Sequence, residues 1–185
     1  MRHTQYGLTF IELIIALAIA AIVGVFSAPG FVSILEKKTA DSTAYSILHG
    51  FQQARSHAIT NRGVVKICGS DDGLSCQKQW SKFLIIFNDE NDDDVIDTGE
   101  IINQVNLDLD TSTILTKVSL GKSYIELKPD GTPKQWGNFI YCPNDKSDKK
   151  LLRRVTWNRI GRPYYGKDIN GDGVVEATNG KALSC

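Results

Sequence analysis

One long apolar stretch near the start of the chain limits what this sequence can fold into. Residues 8–35 contain a single ionisable side chain, that of Glu12. A helix needs about 20 apolar residues to cross a bilayer, so the stretch is long enough to form a membrane-spanning helix. A carboxylate inside such a helix is costly and indicates a functional site. An ordinary signal anchor that happens to carry a glutamate is the alternative interpretation.

The residues around Glu12 carry a family resemblance. Residues 7–12 read GLTFIE and close a short polar leader, 1–7. They resemble the leader motif of type IV prepilins and type II secretion pseudopilins. The resemblance implies that a prepilin peptidase cleaves between Gly7 and Leu8 and methylates the new amino terminus. It also implies that Glu12 pairs with the amino terminus of a neighbouring subunit and sets the axial register of assembly.

The residues that follow the leader predict one long spine helix over 8–61. Its first part, 8–35, would lie in the membrane and later in a filament core. Its second part, 36–61, carries apolar residues at spacings of three and four and is therefore amphipathic. Because a proline removes a helical hydrogen bond, we expect a bend at Pro29 and Gly30.

Beyond Asn61 the pattern changes to short β runs. Eight runs rich in β-branched and aromatic residues lie between Val64 and Tyr165, one of them covering Trp80–Phe87. Residues 62–185 are therefore predicted to form a small antiparallel β domain, a meander or a sandwich. The predicted fold class is α+β, with the spine helix packed against this domain.

Several segments of the chain resemble the GspH/FimT/FimU family of minor pilins and pseudopilins. They are FND at 87–89, TGEII at 98–102, IELKPDG at 125–131 and VTWNRIGR at 155–162. The resemblance implies a minor type IV pilin, FimU-like, that primes or caps the assembly of pili used in twitching, adhesion or DNA uptake. Its partners would be other minor and major pilins, the inner-membrane assembly platform, the prepilin peptidase and, before assembly, the inner membrane.

The cysteines indicate an oxidising compartment, because all four lie beyond the apolar stretch. Cys68 and Cys76 flank a turn and are predicted to close a small loop. Pairing of Cys142 with Cys185 resembles the C-terminal disulfide loop of pilins, although four cysteines allow two other connectivities. Together with the cysteines, the prepilin resemblance implies a single-pass protein of the bacterial inner membrane, with its C-terminal domain in the periplasm, that later enters the pilus.

The charge of the chain is balanced overall but unevenly distributed. Residues 142–185 hold nine basic and five acidic side chains, whereas 83–116 hold nine acids and no lysine or arginine. Basic side chains interleaved with aromatic ones can bind nucleic acid. FimT-like DNA-uptake pilins carry a Gly-Arg-x-Arg motif here, but 161–164 read GRPY, so a solvated strand edge is favoured over DNA binding. The candidate nucleic-acid contacts are Arg159, Arg162 and Lys167.

An acidic loop, residues 89–100, is a candidate calcium site. It has oxygen donors at the spacing of an EF-hand, although predicted strands flank it and Asp94 stands where the sharp-turn glycine belongs. A solvated turn is an equally favoured interpretation. A second loop, 168–179, repeats the spacing but ends in Asn179, and a plain hairpin turn is favoured there. The candidate ligands in the acidic loop are Asp89, Asn91, Asp93, Val95, Asp97 and Glu100.

The sequence contains no nucleophile elbow, P-loop or dinucleotide fingerprint, so an enzyme is the least favoured class. Apart from calcium in the acidic loop, no cofactor is expected. Two functions stay open beside that of a minor pilin. One is a FimT-like DNA-binding pilin for natural transformation, and the other is a GspH-like pseudopilin of a type II secretion system.

Overall fold

The computed structural model describes residues 9–185 except 81, 98, 108 and 110, and the side chains of 25–29 and 79 are not described either. The chain divides into two compact units, Met1–Lys38 and Thr39–Cys185. The described part of the first unit holds the beginning of one long helix, and the second unit contains the remainder of that helix and all of the strands described below.

Helix α1 spans Phe10–Asn61. Its backbone is helical through Pro29 and Gly30, so a bend there stays a prediction. The large apolar side chains between Phe10 and Leu35 are exposed wherever they are described. Among the described residues, no helix combines the length and the hydropathy needed to cross a membrane. The membrane position of this segment therefore stays a prediction as well.

The second part of α1 buries one stripe of side chains in the main core. The stripe follows the helical period, because its members recur every three or four residues. Small residues dominate it, which allows the helix backbone to approach the sheets closely. Gly50 is part of this contact, since a Cβ atom there would lie 2.4 Å from Leu84 Cδ2. The buried stripe consists of Ala40, Ala44, Ile47, Phe51, Ala54 and Ala58.

The described residues form nine strands in two antiparallel sheets. The strands are β1 (Val65–Ser70), β2 (Gln79–Trp80), β3 (Phe83–Phe87), β4 (Ile101–Asn106), β5 (Thr113–Val118), β6 (Tyr124–Leu127), β7 (Gly137–Cys142), β8 (Arg153–Trp157) and β9 (Pro163–Tyr165). The first sheet has the order β4-β3-β1-β6 and the second the order β2-β5-β7-β8-β9. The predicted α+β fold class is confirmed.

The predicted strand Trp80–Phe87 is wrong as a single element. Trp80 pairs with Ile114 in the second sheet, whereas Phe83–Phe87 pairs with β1 in the first. The buried Trp80 ring packs on Phe139, with ring centroids 4.5 Å apart, and so contributes to the core beneath the second sheet. The chain therefore changes sheets between Trp80 and Phe83, where the sequence has the polar pair Ser81-Lys82 inside the run predicted as one strand.

Both sheets are also covered on the face that points away from the main core. Ile96 of the acidic loop packs with Ile85 and Phe87 on the outer face of the first sheet. Val175 and Leu183 of the C-terminal segment pack with Ile140 on the outer face of the second. The two predicted disulfides form: Cys68–Cys76 closes a short turn after β1, and Cys142–Cys185 ties the C-terminal segment to β7.

Candidate assembly and cation sites

The start of α1 holds Glu12 in a capping box. Glu12 Oε2 accepts hydrogen bonds from the backbone N–H and the hydroxyl of Thr9, each at 2.8 Å. Thr9 Oγ1 in turn accepts from the Glu12 N–H at 3.4 Å. The two side chains thereby satisfy N–H groups that no helical carbonyl reaches. Gly7 and Leu8, the predicted cleavage site, lie outside the described residues, and pairing of Glu12 with a neighbouring amino terminus stays a prediction.

The acidic loop covers a buried lysine. Lys66 projects from β1 onto the outer face of the first sheet, and its side chain is inaccessible to solvent. Its ammonium group donates hydrogen bonds to Asp89, to Asp94 at 2.6 Å and to Asp92 at 3.3 Å. The side chain of Asp89 is equally inaccessible. Three carboxylates of this loop therefore share one cation that the protein itself supplies.

The pairing shifts the pKa values of the groups involved. Burial alone would lower the pKa of Lys66, but hydrogen bonds to Asp89 and Asp94 raise it above its usual value. Burial alone would raise the pKa of Asp89, but the hydrogen bond from Lys66 lowers it. The same ammonium group holds the pKa of Asp94 well below its usual range. All three groups are therefore charged at neutral pH.

The remaining predicted calcium ligands bond to one another. Asn91 Nδ2 donates to Asp93 Oδ2 at 3.0 Å and to Asp97 Oδ2 at 3.1 Å. The Glu100 carboxylate accepts from the Asp97 N–H at 3.0 Å and closes the loop. The Val95 N–H donates to Asp93 Oδ1 at 2.8 Å, while the Val95 side chain is exposed.

Residues 168–176 adopt the conformation of the acidic loop. Asp168, like Asp89, accepts backbone N–H bonds through both carboxylate oxygens. The sixth residue of each loop has a positive φ, 64° at Asp94 and 87° at Gly173. Glycine adopts that conformation without steric cost, and aspartate is one of the few other residues that tolerates it. The clustered carboxylates of the second loop, with oxygens within 4.8 Å of one another, are those of Asp168, Asp172 and Glu176.

With Lys66 in place, the described residues of the acidic loop do not fit a calcium ion. Calcium takes six to eight oxygen ligands. Here Asp89 and Asp94 face the ammonium group, and Asn91 directs its NH₂ group, not its carbonyl oxygen, at two carboxylates. Calcium binding by this loop stays a prediction, and it would require Lys66 to be displaced.

A polar linkage joins α1 to the second sheet within the second unit. Asp41 Oδ1 accepts hydrogen bonds from Arg153 Nε and from the Tyr165 hydroxyl, the latter at 2.9 Å. The rings of Tyr45 and Tyr165 stack with centroids 5.1 Å apart. Arg153 Nη1 also donates to the Lys150 carbonyl at 2.6 Å, so a second nitrogen of the guanidinium group is hydrogen-bonded. This linkage fixes the rotation of the helix against β8 and β9.

Two segments that resemble the pilin family meet at one tight contact. Arg55 Nε donates to the Gly131 carbonyl at 3.1 Å. A Cβ atom at Gly161, where φ is +77°, would lie 2.3 Å from that same carbonyl oxygen. Both the backbone conformation and the close approach therefore require glycine at position 161. The Gly161-Arg162 pair, considered above as a part of a DNA-binding motif, thus has a packing explanation for its glycine.

The predicted nucleic-acid contacts lie around β9 and the turn before it. The guanidinium of Arg159 lies 4.5 Å from the ring centroid of the half-exposed Trp136. Arg162 directly precedes β9, Lys167 follows it, and both are exposed. An arginine on an exposed tryptophan is a surface on which an unpaired base could stack. DNA binding stays a prediction.

Sequence reasoning missed two functional positions. Lys66 alternates with the apolar Val65 and Ile67, which is the usual sign of a solvent-facing residue in a strand. Its partners lie more than 20 residues away, so no local signal identifies it. Thr9 could have been found, because Thr9 and Glu12 form the T-x-x-E pattern of a capping box before an apolar run.

Comparisons with known proteins match both parts of the chain. Residues 43–161 match the family described as type II transport protein GspH, and residues 2–28 match the prokaryotic N-terminal methylation motif. No curated protein matches the chain significantly. The fold is similar to the type IV minor pilin FimU of Pseudomonas aeruginosa, with a TM-score of 0.52, 21% identity and coverage of 72% of this chain and 92% of that one. A second crystal form of FimU gives a TM-score of 0.48 at 21% identity, over 69% and 92% of the two chains.

Proposed function

Because the chain belongs to the GspH family and carries the N-terminal methylation motif, we propose that it is a minor type IV pilin. In this role it is a structural subunit that primes or caps pilus assembly. The observation that carries the proposal is the order of its parts: the methylation motif leads directly into a fold shared with a type IV minor pilin. The family and the fold are those of structural subunits, which agrees with the absence of a catalytic motif in the sequence.

The exposed apolar side chains in the first half of α1 support the proposal that this part of the helix lies first in a membrane and later in a filament. Its apolar side chains from Phe10 to Leu35 have no cover in the described first unit. An apolar surface of this size marks a contact with lipid or with other proteins. We propose that the inner membrane covers it first, in a single pass with the C-terminal domain in the periplasm, and that helices of other pilins cover it later. The two disulfides suit that compartment.

We propose that Glu12 sets the axial register of assembly by pairing with the amino terminus of a neighbouring pilin. Among the described residues its carboxylate bonds only to Thr9, and both residues lie at the exposed end of the helix. A carboxylate that enters an apolar filament core needs a cationic partner, which a neighbouring amine would supply.

Two matched variants separate this pairing from the capping box. Glu12→Ala removes the carboxylate and should abolish recovery of the protein in sheared pili while leaving its membrane insertion intact. Thr9→Ala removes the cap but keeps the carboxylate, and it should preserve recovery. Normal recovery of Glu12→Ala would refute the register role. Equal losses for both variants would show that helix capping, and not pairing, explains the effect.

A pseudopilin of a type II secretion system is the alternative that the family description favours. The likeness of fold to a minor pilin and the loop closed by Cys142 and Cys185 favour the pilus instead. DNA binding has weaker support, from Arg159 on Trp136. A DNA mobility shift by the purified protein that weakens with salt and disappears in Arg159→Ala/Arg162→Ala would establish it.

A further inference from the structure

A cavity of about 350 Å³ lies between the outer face of the second sheet and the C-terminal segment. Its floor comes from adjacent strands: Lys117 of β5 pairs with Asn138 of β7, and Ile140 of β7 pairs with Arg154 of β8. Positions 138 and 140 are two residues apart on one strand, so all four side chains share one face. Residues 177–184 form the wall. The volume is at the lower end of the range for small-molecule sites.

The cavity is basic. Arg154 and Lys117 belong to the floor strands, and Lys181 belongs to the wall. Among the described residues that line the cavity, none is acidic. Both lysines are exposed, so they stand at the rim, whereas Arg154 is only 7% exposed and lies at the bottom. Three cations around one concave space produce a positive potential that concentrates anions.

Arg154 is also incompletely paired. Its Nε and Nη1 atoms are sealed from solvent and have no hydrogen-bond partner among the described residues. Burial lowers the pKa of this guanidinium, while Tyr164 and the nearby carboxylate of Glu176 oppose the shift. Glu176 is the nearby acid, but one of its oxygens already accepts the Ile169 N–H at 2.9 Å. A buried guanidinium without an acceptor is costly, and a bound anion would offset that cost.

The cavity has one more unpaired group, and it is an acceptor. Asn138 Oδ1 is buried and has no donor among the described residues. An inorganic anion without hydrogen atoms would satisfy Arg154 but leave Asn138 unpaired. We propose that this cavity binds a small oxyanion that carries a neighbouring hydroxyl group, the chemistry shared by carboxylated and phosphorylated sugars. Because their unpaired atoms are sealed from solvent, the Arg154 and Asn138 side chains turn toward the ligand. The oxyanion accepts from Arg154, with Lys117 and Lys181 around it, and the hydroxyl donates to Asn138.

Titration of the purified full-length protein in detergent with four probes tests the proposal. The probes are glucuronate, glucose 6-phosphate, sulfate and glucose, each followed by thermal unfolding at constant ionic strength. We expect saturable stabilisation by glucuronate or glucose 6-phosphate, weaker stabilisation by sulfate and none by glucose. A preference between the first two identifies the oxyanion as carboxylate or phosphate. Absence of saturable stabilisation by both would overturn the proposal.

Variants locate the binding and do not depend on one substitution being tolerated. Arg154→Met should lose the stabilisation, yet without probe it should be at least as stable as wild type, because it removes an unpaired buried charge. Lys117→Met and Lys181→Met change exposed side chains and should each weaken binding about tenfold. Lys128→Met, in the turn after β6, is the matched control and should bind normally. Equal stabilisation of wild type, Lys117→Met and Lys181→Met would contradict the assignment.

Discussion

The ammonium group of Lys66 donates a hydrogen bond to the carboxylate of Asp89 beneath the acidic loop, where neither side chain reaches solvent. This pair joins β1 to a loop that begins 23 residues later. It explains how a loop rich in acids packs against an apolar sheet face: the carboxylates that would repel one another share a cation. The loop is therefore a structural part of the second unit, and Lys66 supplies a cation to its carboxylates.

Loss of Lys66 should destabilise the fold strongly. Lys66→Met keeps the length of the side chain but leaves Asp89 buried without its partner, and we expect the free energy of unfolding to fall by about 3–5 kcal/mol. Urea unfolding followed by circular dichroism measures the change. Lys122→Met is the matched control, because Lys122 also contacts Asp94 but is 44% exposed. Similar losses in the two variants would contradict the importance of the buried pair.

Lys66 should also compete with calcium. In Lys66→Met the carboxylates of Asp89, Asp92 and Asp94 lose their cation, so calcium should stabilise this variant more than it stabilises the wild type. Thermal unfolding with calcium and with a chelator measures the difference. Equal responses of the two proteins would show that calcium, if it binds, does not use the carboxylates around Lys66.

The buried pair predicts a loss of stability in acid. The pKa values of Asp89 and Asp94 lie below their ordinary value of 3.8, so the unfolded chain takes up protons first. The contribution of Asp89 and Asp94 to the free energy of unfolding is complete above about pH 4. It is lost as the pH falls through the lower pKa values that these groups have in the folded state. Urea unfolding at a series of acidic pH values should show a smaller pH dependence for Lys66→Met than for wild type. Parallel curves would contradict the assignment.

The two disulfides should differ in what they contribute. In the chain-entropy model, the loop between Cys142 and Cys185, with a sequence separation of 43, contributes about 4 kcal/mol, whereas a separation of 8 between Cys68 and Cys76 contributes about 2.5 kcal/mol. Urea unfolding of Cys142→Ser/Cys185→Ser and Cys68→Ser/Cys76→Ser compares them. A larger loss for the shorter loop would show that local packing outweighs loop entropy.

Gly161 should be far less tolerant of substitution than Gly171. Both have a positive φ, +77° and +80°, so an alanine costs about 1–2 kcal/mol at either position from the backbone alone. A Cβ atom meets nothing within 4 Å at Gly171 but lies 2.3 Å from the Gly131 carbonyl oxygen at Gly161. Gly161→Ala should therefore lose more free energy of unfolding than Gly171→Ala. Equal losses of the free energy of unfolding in the two variants would mean that the turn at Gly161 moves away from the Gly131 carbonyl at no energetic cost.

Local patterns of the sequence predicted the fold class and the end of the helix near Asn61, because helix and strand periodicities are properties of neighbouring residues. The change of sheets between Trp80 and Phe83 is marked in the sequence by the polar pair Ser81-Lys82, which a single strand could also contain. The contacts that define the sites are long-range: Lys66 with Asp89, and Arg153 with Asp41 across 112 residues. From its sequence alone, a charged residue in a strand is predicted to face solvent, because the segment that covers it is not known.

The same limit applies to the candidate anion cavity. Arg154 and Lys117 lie in separate strands, and Lys181 lies in a C-terminal segment with no regular secondary structure. Sequence reasoning recognised only the excess of basic residues in this region and associated it with nucleic acid. The register of β5, β7 and β8 places Lys117 and Arg154 on one covered face. Arg159 and Arg162 instead lie around the turn before β9.

The proposed function is tested most directly by deleting the gene and measuring surface piliation and type II secretion in the same strain. We expect that pili are lost or strongly reduced, that secretion is unchanged, and that the wild-type gene restores piliation whereas Glu12→Ala does not. Normal piliation combined with a loss of secretion would contradict it and would identify the chain as a pseudopilin of the secretion system.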